Sequence, residues 1–132
     1  MPAVLVVDDE SLVREFIART ATHAGWTVTE AADADAALTA LAGTRFDLVC
    51  LDVRLPTRDG LWVADVIHER HPGTAVLFLT GVDELPGTKT LRSGVVGYLV
   101  KPFSVDELVA ILTRLQDSSP EPPPRPHLRL VK

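Results

Sequence analysis

Three acids in a row, Asp8-Asp9-Glu10, close the apolar run Val4-Leu5-Val6-Val7. Carboxylates that close repel one another, and each loses hydration if the site is recessed, so the cluster calls for a cation. An oxygen-only site with few protein ligands and room for water suits Mg2+. A second apolar run, Leu48-Val49-Cys50-Leu51, ends in Asp52. A carboxylate can attack phosphorus and become an aspartyl-phosphate. Thr80 follows Ala75-Val76-Leu77-Phe78-Leu79, and Lys101 follows Tyr98-Leu99-Val100. A phosphoryl group in transfer carries charge on its equatorial oxygens. Lys101 can pair with one of these, Thr80 can donate a hydrogen bond to another, and Mg2+ can take a third. Singly these residues mean little, because an Asp after a strand is an ordinary turn former. Their meaning depends on whether the chain brings them together.

The elements that must do so alternate along the sequence. Short runs rich in Val and Leu, over residues 3–7, 26–30, 47–51, 74–79 and 95–100, read as strands. Longer amphipathic stretches follow them. Residues 11–24 place Leu12, Phe16, Ile17 and Thr20 at helical spacing and stop at Gly25. Residues 33–41 form an Ala-rich helix capped by Asp33 or Asp35 and stopped by Gly43. Gly60–Arg70 is the third helix, ended by His71-Pro72-Gly73. Residues 86–93 predict a short, polar fourth helix with Pro86 in its first turn and Leu91 as its one large apolar anchor. Ser104 and Glu107 form a capping box that opens a last helix carrying Leu108, Ile111, Leu112 and Leu115.

Five β units alternating with five α units imply an α/β fold in three layers, a parallel sheet with helices on both faces and right-handed crossovers. The continuous apolar runs fit strands buried on both sides, and the more polar second run suits an edge. In open sheets of this kind the ligand site lies beyond the carboxyl ends of the strands. Asp8, Asp9, Glu10, Asp52, Thr80 and Lys101 all stand at that edge. Turn chemistry alone gives no reason for them to coincide there.

The 132-residue chain suits one domain, and its 46% hydrophobic content suffices for a core. Cys50 is the sole cysteine and excludes an internal disulfide; within Leu48-Val49-Cys50-Leu51 it reads as a buried thiol in a reducing compartment. No apolar run approaches the roughly 20 residues of a membrane span, and no signal peptide is evident, so a cytoplasmic location is expected. The formal net charge of −5 argues against direct nucleic-acid binding. His68 and His71 lack a third ligand and read as a solvated helix end. From Asp117 the composition shifts to proline, with Pro120, Pro122, Pro123, Pro124 and Pro126 close together. The expected organisation is a folded domain over 1–116 and an extended or disordered tail or linker over 117–132.

The motifs VVDDE, LDVRLPTRDG, LTG and GYLVKPF, in that order and separation, make residues 3–116 resemble a response-regulator receiver domain of two-component signalling. The resemblance implies a flavodoxin-like (βα)5 fold with strand order 2-1-3-4-5. It implies that Asp52 accepts a phosphoryl group from a sensor histidine kinase or histidine phosphotransfer protein, and that the domain catalyses only its own phosphorylation and dephosphorylation. Mg2+ would be held by Asp9 directly, by Asp8 often through water, by Asp52, and by the backbone carbonyl of Arg54. Thr80 and Tyr98 match the switch residues, Pro56 and Gly60 the loop after the phosphorylation site. Lys101 matches the family lysine, with a cis peptide to Pro102. Glu10 is expected at the start of the first helix, where a negative charge is favourable, rather than in the chemistry. A downstream protein target and a homodimer formed on phosphorylation are further expectations. The interval from Thr80 to Lys101 is slightly shorter than usual, and Arg54 puts a large cation beside the acyl phosphate, where it is expected to alter its lifetime.

Other readings remain. The chain could be a receiver-like interaction module without phosphorylation, or the receiver part of a longer transcriptional regulator. A dehalogenase-like hydrolase would carry a general acid where Arg54 stands, and Arg does not donate a proton usefully. A flavin-binding relative would cradle phosphate after the first strand, where Asp8 and Asp9 would repel it.

Overall fold

The computed structural model describes residues 2–56, 58–81 and 94–116. Five strands, β1 (Ala3–Val7), β2 (Thr27–Ala31), β3 (Leu48–Asp52), β4 (Ala75–Gly81) and β5 (Val95–Lys101), form one sheet in the order β2-β1-β3-β4-β5. Every neighbouring pair is parallel. The helices are α1 (Ser11–His23), α2 (Ala34–Gly43), α3 (Gly60–Arg70) and α4 (Val105–Gln116). The fourth helix read over 86–93 and the tail over 117–132 lie outside the described residues.

The pleat divides the core in two. Leu5, Val7, Val49, Leu51 and Phe78 face one side, where they pack with Ala37 and Leu41 of α2 and Val63 and Ile67 of α3. Val4, Val6, Cys50, Leu77, Leu79 and Leu99 face the other, with Ile17 and Ala21 of α1 and Leu108, Ile111 and Leu112 of α4. Alternate strand residues thus supply both cores, which is why β1 and β3 read as unbroken apolar runs. β2, at the edge, buries only Ala31, half-buries Val28 and exposes Thr27, Thr29 and Glu30, as its more polar composition predicts. Burial pushes the Cys50 thiol up to about 12, so it is inert as a nucleophile at neutral pH.

Caps set the helix entries. Ser104 and Glu107 bond reciprocally, each backbone N–H donating to the other's side chain at 3.1 Å. Asp33 accepts from the Ala36 N–H, and Asp59 from the Trp62 N–H. Gly43 is the last residue of α2 rather than its stop.

The face of α1 agrees with its periodicity at Ile17 and Thr20 and departs from it at Leu12 and Phe16. Leu12 is 80% exposed and Phe16 is 37% exposed, whereas Ile17, Ala18, Thr20 and Ala21 are buried. Two adjacent stripes are apolar on this helix. The one with small residues lets the helix lie close on the sheet, and the Thr20 hydroxyl is satisfied by donating to the Phe16 carbonyl. Phe16 instead meets the Phe103 ring, centroids 5.8 Å apart. Among the described residues, no helix is long and apolar enough to cross a membrane.

Candidate functional site

Strand register brings the chemistry-bearing residues to one height. Val7 stands opposite Leu51, so Asp8 and Asp52, each the next residue, leave the sheet side by side. Lys101 ends β5 opposite Gly81 of β4. Side chains alternate along a strand. Counting by twos from Val6, Cys50 and Leu99 puts Asp8, Asp52 and Lys101 on the α1–α4 side of the sheet. Thr80 and Tyr98 have the opposite parity. Tyr98 packs against the α2–α3 core, its ring 5.5 Å from that of Phe78.

Asp8 is fully buried, Asp52 is buried, and Asp9 is exposed. One carboxylate oxygen from each of the three lies within 4.8 Å of the others. The Lys101 ammonium sits among them, with Nζ 2.9 Å from Asp8 Oδ2 and 3.2 Å from Asp52 Oδ2. Each buried acid spends its other oxygen on its own loop. Asp8 Oδ1 accepts from the Glu10 N–H at 2.9 Å, and Asp52 Oδ1 accepts from the Arg54 N–H at 3.0 Å. Asp8 Oδ2 has no well-directed hydrogen bond despite the nearby ammonium, so its contact with Lys101 is an ion pair only.

The electrostatics follow from this packing. Burial raises the Asp52 pKa most. The Arg54 N–H opposes that, the Asp8 charge adds to it, and Lys101 opposes it. The balance stands at about 6 against an ordinary 3.8. Burial alone would lower the Lys101 pKa, but Asp8 and Asp52 outweigh it and hold the ammonium above its ordinary value. One cation among three acids leaves the site short of positive charge.

The donor set fits a hard divalent cation. All its donors are oxygen, one is a buried oxygen without a hydrogen bond, and one acid is open to water. Ligands about 2.1 Å from Mg2+ stand roughly 3 to 4 Å from one another, and the three carboxylate oxygens, all within 4.8 Å of one another, are near enough to reach one ion. Asp8, Asp9 and Asp52 are the residues that would hold it, with the Arg54 backbone folded back onto Asp52 beside them.

Glu10 enters this site, against the expectation that it serves only the helix. It stands at the N-cap of α1, but its side chain makes no capping bond. It reaches Lys101 Nζ at 3.3 Å instead. No local signal reveals this, because Glu10 and Lys101 are far apart in the chain and meet only across the end of the assembled sheet. Thr80 is buried, and its hydroxyl donates to the Gly81 carbonyl at 3.1 Å rather than toward Asp52. The Lys101–Pro102 peptide is cis. Gly60 opens α3 against the end of β3, where a Cβ would run into the Asp52 carbonyl oxygen, so only glycine fits there. Pro56 lies exposed in the same loop.

Comparison with known proteins agrees with this geometry. The family model for the response regulator receiver domain matches residues 4–113. The chain is 39% identical over 125 residues to the transcriptional regulatory protein TcrA of Mycobacterium tuberculosis, covering 92% of this chain and 48% of TcrA. It is 37% identical over 112 residues to the DNA-binding transcriptional regulator NtrC of Salmonella typhimurium, covering 84% of this chain and 24% of NtrC. The chain therefore spans about half the length, or less, of these curated relatives. Among solved structures, the receiver domain of NtrX from Brucella abortus superimposes with a TM-score of 0.77 at 32% identity, over 88% of this chain and 99% of that one. The Francisella response regulator 1452 receiver domain gives 0.77 at 31% identity, over 87% and 96%.

Proposed function

The chain belongs to the response-regulator receiver domain family, and from that membership we propose that it takes a phosphoryl group onto Asp52 and changes its partner-binding surface in consequence. The observation that carries the proposal is the Lys101 ammonium set between the buried carboxylates of Asp8 and Asp52, with Asp9 alongside. An ordinary structural ion pair has no use for so many acids around one lysine.

Asp52 is the nucleophile. One of its oxygens attacks the phosphorus of a phosphohistidine, the P–O bond forms as the P–N bond breaks, and the imidazole leaves with a proton from solvent. Burial raises the Asp52 pKa only to about 6, so at neutral pH the carboxylate is mostly ionised and able to attack. Asp8 and Asp9, with Asp52 and the backbone carbonyl of Arg54, would hold Mg2+, which when bound would supply positive charge for the phosphoryl oxygens. Lys101, kept protonated by its acidic neighbours, turns from Asp52 to a phosphoryl oxygen. Thr80 exchanges its bond to Gly81 for another phosphoryl oxygen, and Tyr98 follows as the Thr80 side moves.

The domain acts on itself and turns over no separate substrate. Its donor is a sensor histidine kinase or a histidine phosphotransfer protein, and its product is a changed surface read by a protein target or by a second copy of the chain. The net charge of −5 disfavours direct contact with nucleic acid, and the chemistry of the site belongs in the cytoplasm, where such kinases present phosphohistidine.

Incubation with a small phosphodonor and Mg2+, read by intact mass spectrometry, tests this. The expected adduct is one phosphoryl group, acid-stable and base-labile, lost in EDTA and absent from Asp52→Asn. No adduct with either a small donor or a cognate kinase would leave an interaction module that does not phosphorylate.

A further inference from the structure

Arg14 lies outside the acidic cluster but is bonded to it. Its Nη1 donates to the Asp8 backbone carbonyl at 2.8 Å, and its Nε lies 3.1 Å from Glu30 Oε1 on β2. The side chain is only 19% exposed. We propose that Arg14 is a positioning residue for the Mg2+ site, fixing the peptide that joins Asp8 to Asp9 and so the direction in which Asp9 presents its carboxylate. The inference rests on the reading of Asp8 and Asp9 as Mg2+ ligands.

The sheet stops holding this part of the chain just before the ligands begin. The Asp8 N–H still donates to the Ala31 carbonyl of β2, at 3.2 Å. The next peptide has left the ladder. Its carbonyl is that of Asp8 and its N–H is that of Asp9, so its orientation sets where the Asp9 side chain starts. Asp8 Oδ1 turns inward to the Glu10 N–H, which fixes the chain on the helix side. Arg14 supplies the other restraint. It stands one turn into α1, and its own N–H donates to the Glu10 carbonyl, so the helix that begins at the site also carries the group that braces it. Glu30, opposite Val6 in the ladder, holds the guanidinium in place from β2. One planar side chain thereby ties the end of β1, the start of α1 and the neighbouring strand. A lysine, with a single ammonium on a flexible stem, cannot brace both contacts in this fixed geometry.

A simpler role is possible for the same bond, that of satisfying a carbonyl near the protein interior. The two roles differ in the sign of one effect. A guanidinium near the site repels Mg2+, so its removal tightens metal binding if charge alone matters and the peptide stays in place. Positioning predicts the opposite.

The test is a Mg2+ titration of the full chain, followed by amide NMR shifts of Asp8, Asp9, Glu10 and Arg54, for wild type, Arg14→Ala, Arg14→Lys and Asp9→Ala. Loss of an outer partner of a metal ligand commonly weakens binding by about 10- to 100-fold, and roughly tenfold is expected for Arg14→Ala, with amides far from the site unmoved. Arg14→Lys, which keeps the charge and stem, is expected to fall between that variant and wild type, and it carries the test if Arg14→Ala does not fold. Unchanged or tighter Mg2+ binding in either folded variant overturns the proposal. Wild type that binds no Mg2+, or Asp9→Ala that binds as wild type does, overturns the metal-site reading beneath it; loss of binding in Asp9→Ala with full binding in the Arg14 variants removes the positioning role alone.

Discussion

Asp52 is the residue on which stability and function pull in opposite directions. In the metal-free domain it titrates near 6, against 3.8 for an ordinary aspartate, chiefly because it is buried. Between those values the folded state keeps a proton that the unfolded state has lost. Stability therefore falls as pH rises through that window, and the loss is complete above it. Asp52→Asn removes the buried charge while keeping the shape. It is expected to raise the melting temperature of the metal-free protein at about pH 7.5, and the advantage should shrink toward pH 4, where wild type is protonated as well. Thermal melts across pH in EDTA measure this; a variant that melts lower than wild type at neutral pH would contradict the electrostatic picture. In the proposed reaction, the same charge that weakens the fold supplies the lone pair that attacks phosphorus. Asp8, Asp9, Asp52 and Lys101 could be read from the sequence because each closes an apolar strand. Glu10 could not, since its pairing with Lys101 at 3.3 Å joins residues that meet only in three dimensions.

At the level of elements, β1, β3 and β4 announce themselves because the inner strands must be apolar on both faces. The capping box at Ser104 and Glu107 was equally legible, being local. Loss of that cap by Ser104→Ala is expected to cost about 1 kcal/mol, seen as a small drop in denaturation midpoint without a change in slope. The buried face of α1 was legible only in part: Ile17 and Thr20 are buried as their spacing predicts, whereas Leu12 and Phe16 are exposed. Its two apolar stripes differ in what the sheet can accommodate, and periodicity does not rank them. The structure predicts that Ile17→Ala costs about 2–5 kcal/mol and Leu12→Ala less than about 0.5 kcal/mol. Chemical denaturation distinguishes the two, and equal losses would mean that α1 is rotated from the orientation described. Exposed Leu12 and Phe16, beside Lys101, Pro102 and Phe103, leave an apolar rim at the mouth of the site.

For the whole molecule, two cores on either side of one sheet set a rigid edge, and the site is where that edge is deliberately overcharged. The parallel sheet and its helix layers followed from the alternation of runs, whereas the strand order 2-1-3-4-5 came from family likeness, since periodicity says nothing about which strands are neighbours. An overcharged edge should be relieved by a bound cation. At ten times its dissociation constant Mg2+ should add about 1.4 kcal/mol of stability, a rise in melting temperature of roughly 3–7 °C for a domain of this size. Asp9→Ala should show little of it; an equal rise in both would place the cation elsewhere. The claim on which all of this depends is that Asp52, and no other acid of the cluster, carries the phosphoryl group. Borohydride reduces an acyl phosphate to the alcohol, leaving homoserine at the modified position. Treatment of the phosphodonor-loaded protein followed by peptide sequencing should find homoserine at position 52 in the presence of Mg2+ and none in EDTA. Homoserine at position 8 or 9, or at no position, would contradict the assignment.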